Sequence, residues 1–344
     1  MNKKNLLTYL STAVIGFTLS FPINLYANDE VNVYSARKEQ LIKPLLDEFS
    51  RQTGIKVNLI TSKADALLKR LQTEGKNSPA DLLITTDAGR LHRAKEAGVI
   101  QPAISQTLQD KVPSNLQDKD GYWLGLTTRA RVIVYAKDRV KSSELSTYEA
   151  LTDSKWKKRI CIRSSNNIYN QSLVSSMIAH QGEQKTAQWT NDLVNNFARK
   201  PKGGDRDQIK AVAAGQCDLA IVNTYYLGQM INGNDENQKA AASKVAVFWP
   251  NQNDRGAHIN VSGIAVTKAA KNEENALKLI DFLLSKNAQA WYAEANNEYP
   301  VVAGVTLSET LENWGNFNSD ALNLTKLGEL NTKAVRIMDR AGWR

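Results

Sequence analysis

The sequence predicts an α/β protein of two lobes joined by crossover strands, with a ligand cleft between them. Strand-like and helix-like patterns alternate from Val31 onward, and a second alternating set begins near Ala130. The chain returns toward the first set near Asn260 without a long linker, and 344 residues exceed what one compact core usually serves. The expected division is 28–128 with 251–300 as lobe one, and 129–250 with 301–344 as lobe two. Residues 1–27 are set apart as a signal peptide.

That first segment, "MNKKNLLTYLSTAVIGFTLSFPINLYA", has two lysines, then a largely uncharged apolar stretch, then Ala27 before the polar "NDEVN". It reads as a secretory signal cut near Ala27, placing the mature chain in the periplasm. A retained membrane anchor is the alternative, and Pro22 and Asn24 interrupt the apolar run it would need.

From Val31, "VNVYS" is an apolar strand. Leu41, Leu45, Leu46 and Phe49 then recur at helical spacing until Gly54, and "IKVNLI" alternates as a strand does. Leu67, Leu68 and Leu71 mark a second helix before the strand "DLLITT". In the second set, "ARVIVYA", "RICIR" and "DLAIV" are strands. Helices are expected through Leu173–Ile178 and around Trp189–Phe197. "VAVFWP" and "SGIAVT" follow as strands, then helices near Glu273–Ser285 and Ala288–Ala295.

The formal charge is +9, and loss of Lys3 and Lys4 with the signal leaves +7. No basic run is interleaved with aromatics, so a positive cleft for a small anion fits better than nucleic acid. No GxSxG elbow, HExxH, P-loop or convincing carboxylate pair is present, so an enzyme is not expected. Two cysteines in an exported chain permit one disulfide, Cys161 to Cys217, if their segments are adjacent strands. A thiolate metal site is the rival reading, though two cysteines lack the further partners zinc wants.

Each cysteine lies eight residues before a tyrosine, Tyr169 and Tyr225, and Tyr226 follows directly. Neighbouring side chains on a continuing strand face opposite ways, so Asn223 and Thr224 are expected to end the strand and open a helix. Both phenols of the pair then face one cleft; two packed aromatics with one wet edge is the bland alternative. Three phenols at strand ends suit a hard, strongly polarising ion such as Fe(III), because a free phenol ionises only near pH 10. His92, His180 and His258 are read as structural or solvent-facing. Three phenolates leave coordination positions that a bidentate anion such as carbonate would fill. Arg37, Lys38, Arg129 and Arg131 are its candidate partners, with one of the last pair pointing inward, or both if the strand bends.

Seven stretches in order resemble the periplasmic ferric-iron-binding proteins of iron(III) ABC transporters: "VNVYSARKEQLIKPLLDEFSRQTGIKVN", "SPADLLITTDAGRL", "GLTTRARVIVYAKDRV", "RICIRSSNNIYNQSL", "ARKPKGGDRDQIKAVAAGQCDLAIVNTYYLG", "GAHINVSGIAVTK" and "NEYPV". They run from about residue 31 to 303. The resemblance implies a class II, transferrin-like two-lobed receptor, monomeric, delivering Fe(III) to an inner-membrane permease and its ATPase. It carries the metal ligands onto Tyr169, Tyr225 and Tyr226. Relatives that use a His-Tyr or a His in the first loop would need them near Lys38 and Glu39, which differ here. The resemblance therefore implies the carbonate-assisted branch, with Arg37, Lys38 and Arg131 at the anion, while Tyr34 is structural. A same-fold receptor for thiamine, a polyamine, phosphonate or sulfate is the alternative.

Overall fold

In the computed structural model, which describes residues 29–344, nine strands form one curled sheet. The expected signal peptide lies outside the described residues. β1 (Glu30–Ser35) pairs in parallel with β2 (Lys56–Thr61) and β3 (Leu82–Thr86). β4 (Leu124–Ala136), β5 (Ile160–Cys161), β6 (Leu219–Asn223) and β7 (Val245–Phe248) follow. β8 (Ile259–Val266) and the short β9 (Tyr299–Pro300) complete the sheet. The order is β2-β1-β3-β8-β4-β6-β5, with β7 and β9 also on β4.

β4 carries the architecture. Its residues Leu124–Ala130 run antiparallel to β8, and Arg131–Tyr135 run antiparallel to β6. β8 in turn pairs with β3, so these two long strands cross between the halves of the sheet. The fold is thus two-lobed and α/β, with the cleft where β4 changes partner. The sequence signal for β4 began only at Ala130, because "LGLTTR" mixes glycine, threonine and arginine; all six are nonetheless buried.

The helices form for local reasons. Lys43–Thr53 buries Leu45, Leu46 and Phe49 on one face and stops at Gly54, whose φ of 75° suits a residue without Cβ. Ala64–Glu74 buries Leu67 and Leu71. Glu273–Leu283 and Lys286–Asn296 occupy the expected places. The expected pair of helices around Leu173 and Trp189 is one run, Ile168–Asn195, broken at Gly182 where φ is 82°.

A second apolar cluster lies under β5, β6 and the far half of β4, with Ile133, Trp156, Leu173, Met177 and Ile221 buried in it. The chain terminus joins it. Trp343 meets Phe197 edge to face at 5.4 Å and donates its indole N–H to the Arg163 carbonyl at 2.8 Å. β5 and β6 are parallel neighbours, and Cys161 is bonded to Cys217 with their Cα atoms 5.8 Å apart. Among the described residues no helix is long and apolar enough to cross a membrane.

Candidate functional site

β6 ends at Asn223, and the helix Thr224–Asn232 begins at once. Tyr225 and Tyr226 therefore stand in a helical first turn, not on a strand, and lie on the same side with ring centroids 4.3 Å apart. Tyr169 is likewise the second residue of its helix, after Asn167. Its hydroxyl is 3.3 Å from that of Tyr225. All three phenols line one cavity of about 400 Å³, together with Arg37, Lys38, Thr86, Arg129, Arg206 and Glu298.

The electrostatics of this shelf are uneven. Burial, then the neighbouring Tyr169 and Tyr226 phenols, push the Tyr225 phenol well above its ordinary range. Burial and Tyr169 push Tyr226 up to about 12. Both phenols are neutral at pH 7 on their own, so an arriving cation must itself supply the energy of deprotonation. The helix starts assist, because the N-terminal end of a helix dipole favours negative charge. Guanidinium groups stand over the rings: Arg163 over Tyr169 at 5.8 Å, Arg129 over Tyr225 at 5.6 Å, Arg206 over Tyr226 at 5.2 Å.

An arginine pair lines the same cavity. Arg37 and Arg129 are 4 % and 1 % exposed. Both donate to the Ser262 hydroxyl and to Glu298, at 2.7 Å from Arg37 and 3.2 Å from Arg129. Burial lowers the Arg37 guanidinium's affinity for its proton, yet the Glu298 charge outweighs it and holds the group up. Burial would lift the Glu298 carboxyl, and the two arginines hold it below its usual value instead. Lys38 lines the cavity from an exposed position.

Arg131 does not reach this cavity. Its guanidinium is 1 % exposed and bonded to Asp205 at 3.3 Å, Asn223 at 3.0 Å and also Asn170. Alternation cannot separate it from Arg129, since residues two apart share a strand face. The change of partner between Ala130 and Arg131 does, leaving one side chain against β8 and the other beneath β6. Its anion, Asp205, also accepts from Arg163 at 3.0 Å and from the Asn223 backbone N–H at 2.8 Å. Arg131 thus braces the turn that carries the tyrosine pair.

Tyr34 donates to Glu74 at 2.9 Å, is 1 % exposed and takes no part in the cavity. None of the three histidines lines it. Among the described residues no group of three His, Cys, Asp or Glu side chains is placed to hold a metal ion. Sequence reasoning missed Asp205, Arg206 and Glu298, all inside quoted motifs, because their roles depend on partners remote in sequence. It also missed Gly228, where a Cβ would sit 2.6 Å from that of Asn297, so the tyrosine helix approaches Asn297 only without a side chain there.

A model of the bacterial extracellular solute-binding proteins matches residues 77–318. The chain belongs to that family. Its members are solute-binding proteins, not enzymes. The chain is 51% identical over 315 residues to iron uptake protein A1 of Synechocystis sp., covering 92% of this chain and 88% of that protein. It is 28% identical to the major ferric iron-binding protein of Neisseria meningitidis, covering 92% and 93%. The Trichodesmium protein IdiA (FutA), solved in complex with iron and citrate ligands, superposes with a TM-score of 0.90 at 49% identity. That match covers 92% of this chain and all of the other. The resemblance read from the sequence is to the same ferric-iron-binding relatives.

Proposed function

We propose that this receptor captures Fe(III) in the cleft through the phenolates of Tyr169, Tyr225 and Tyr226, completed by an exogenous anion, carbonate. The observation that carries the reading is three phenols from two helix starts, lining one cavity that faces Arg37 and Arg129. Phenolate oxygens are hard donors, and three of them neutralise a trivalent ion. The open positions then go to a bidentate anion within reach of guanidinium N–H groups. Lys38 lies at the same wall, and Arg131 enters the proposal only as a support.

The receptor is proposed to act in the periplasm, with residues 1–27 removed, and to hand iron to an inner-membrane permease and its ATPase. The lobes would then close by motion at β4 and β8. A second reading of the anion is a carboxylate chelator arriving with the metal, favoured by the roomy cavity and by the citrate in the Trichodesmium structure.

The test is the visible spectrum of mature protein titrated with ferric iron under bicarbonate alone, citrate alone, and neither. A phenolate-to-iron charge-transfer band is expected with bicarbonate. A band that forms only with citrate selects the second reading, and no band under any condition overturns both.

A further inference from the structure

Arg37 and Arg129 are not free cations waiting for a ligand. One edge of each is already held by Glu298, itself 4 % exposed and fixed from a third side by the Thr127 hydroxyl at 2.8 Å. Ser262 ties the same two guanidiniums together. What remains is directional: Nε and Nη1 of Arg129 and Nε of Arg37 are buried donors with no protein partner. Two guanidiniums and one carboxylate leave this buried cluster one positive charge, not two.

We propose that Glu298 is a specificity-determining residue of the cleft, an internal carboxylate that sets both the net charge of the Arg37–Arg129 pair and which donor edges stay open. The inference rests on the anion reading above. A cluster of charge +1 with few open donors favours a compact oxyanion that can also reach the metal, and disfavours sulfate or phosphate binding on its own. Buried, fixed donors discriminate strongly because any donor left unmatched is costly. Glu298 is a positioning residue in this scheme: it acts through the arginines and need not touch the metal. It lies 261 residues from Arg37 and 169 from Arg129 in sequence, so only the folded chain assembles the cluster.

The experiment compares the wild type with Glu298→Gln, measuring affinity of the iron-free protein for sulfate and phosphate and the bicarbonate concentration that half-develops the ferric band. Glutamine keeps the size, removes the charge and offers one acceptor oxygen instead of two. The expected result is sulfate and phosphate binding tightened at least about ten-fold, with the ferric band inhibited by either anion at concentrations the wild type tolerates. A Gln variant with wild-type anion affinities and a lowered melting temperature would show a structural role only and overturn the proposal. Should that variant not fold, Arg129→Gln probes the opposite sign. It leaves the cluster neutral, so the bicarbonate requirement should rise about ten-fold, and an unchanged requirement overturns the proposal. If the wild type's ferric band is indifferent to bicarbonate, citrate and phosphate alike, the anion reading fails first and this inference with it.

Discussion

The two walls of the cleft solve charge differently. The tyrosine wall carries no permanent charge on the Tyr225 and Tyr226 phenols, which burial pushes upward, and its residues stand on helix starts braced from below by Arg131, Asp205 and Arg163. The arginine wall is permanently charged but half compensated, since Glu298 already occupies one edge of each guanidinium. On the proposed reading one wall acquires negative charge only when a cation arrives, and the other has been partly discharged in advance. A buried arginine close to the cleft need not line it: Arg129 does and Arg131, two residues on, does not.

The sharpest way to break this contrast is Arg131→Ala. If Arg131 supports the tyrosine wall, its loss strands Asp205 in the interior with Arg163 as its remaining ionic partner. The expected cost is about 3–5 kcal/mol of folding stability, as for other broken buried pairs. Ferric affinity should fall with it, while the bicarbonate concentration needed for half-development of the band stays the same. A shift in the bicarbonate requirement, without loss of denaturation midpoint, would return Arg131 to the anion side.

The next effect in size concerns the covalent brace, which only the tyrosine wall has. Cys161–Cys217 closes a loop with a sequence separation of 56 and ties the end of β5 to the approach to β6, the strands that lead to Tyr169 and to Tyr225. On the chain-entropy estimate its removal costs about 4 kcal/mol. The paired serine variant should unfold at correspondingly lower denaturant, and equal midpoints for both proteins would refute the brace.

Sequence reached the tyrosine wall more fully than the arginine wall, for a physical reason. The switch from strand to helix at Asn223–Thr224 is encoded locally, so two adjacent phenols on one face were legible from "DLAIVNTYY". The alternating strands and the helices from Leu45 or Leu67 were legible in the same way. The arginine wall is not local. Arg37 meets Ser262 across 225 residues and Glu298 across 261, and no periodicity reports such pairings. The early half of β4 escaped notice too, since its buried threonines and Arg129 are satisfied by β8, β9 and Glu298 rather than by an apolar pattern.

Tyr226→Phe probes the tyrosine wall itself. Burial and Tyr169 hold this phenol at about 12, so it is protonated in the iron-free protein at any ordinary pH. Binding as phenolate must then expel its proton, and iron uptake in unbuffered solution should release one proton fewer from the variant than from the wild type. Loss of a direct ligand should weaken ferric binding by more than about 100-fold, the upper end for outer partners of a metal site. An unchanged proton count with an unchanged visible band would remove Tyr226 from the shell.

Lys38 supplies the smallest expected effect and the finest test of how the arginine wall is discharged. It lines the cavity, yet it is exposed and makes no ion pair among the described residues, whereas Arg37 and Arg129 share Glu298. A hydrated ammonium at an exposed wall contributes little held-in-place energy, about 1 kcal/mol at most, and salt screens it. Lys38→Ala should therefore change the bicarbonate requirement by less than about ten-fold at low salt, and by almost nothing above roughly 0.5 M salt, where the screening length falls below about 5 Å. Arg129→Ala should instead raise that requirement at every ionic strength, because its donors are buried and fixed. A Lys38 variant whose loss persists at high salt would mean that its ammonium is seated on the anion when iron is bound. The arginine wall would then contain a third fixed cation, one that no carboxylate offsets.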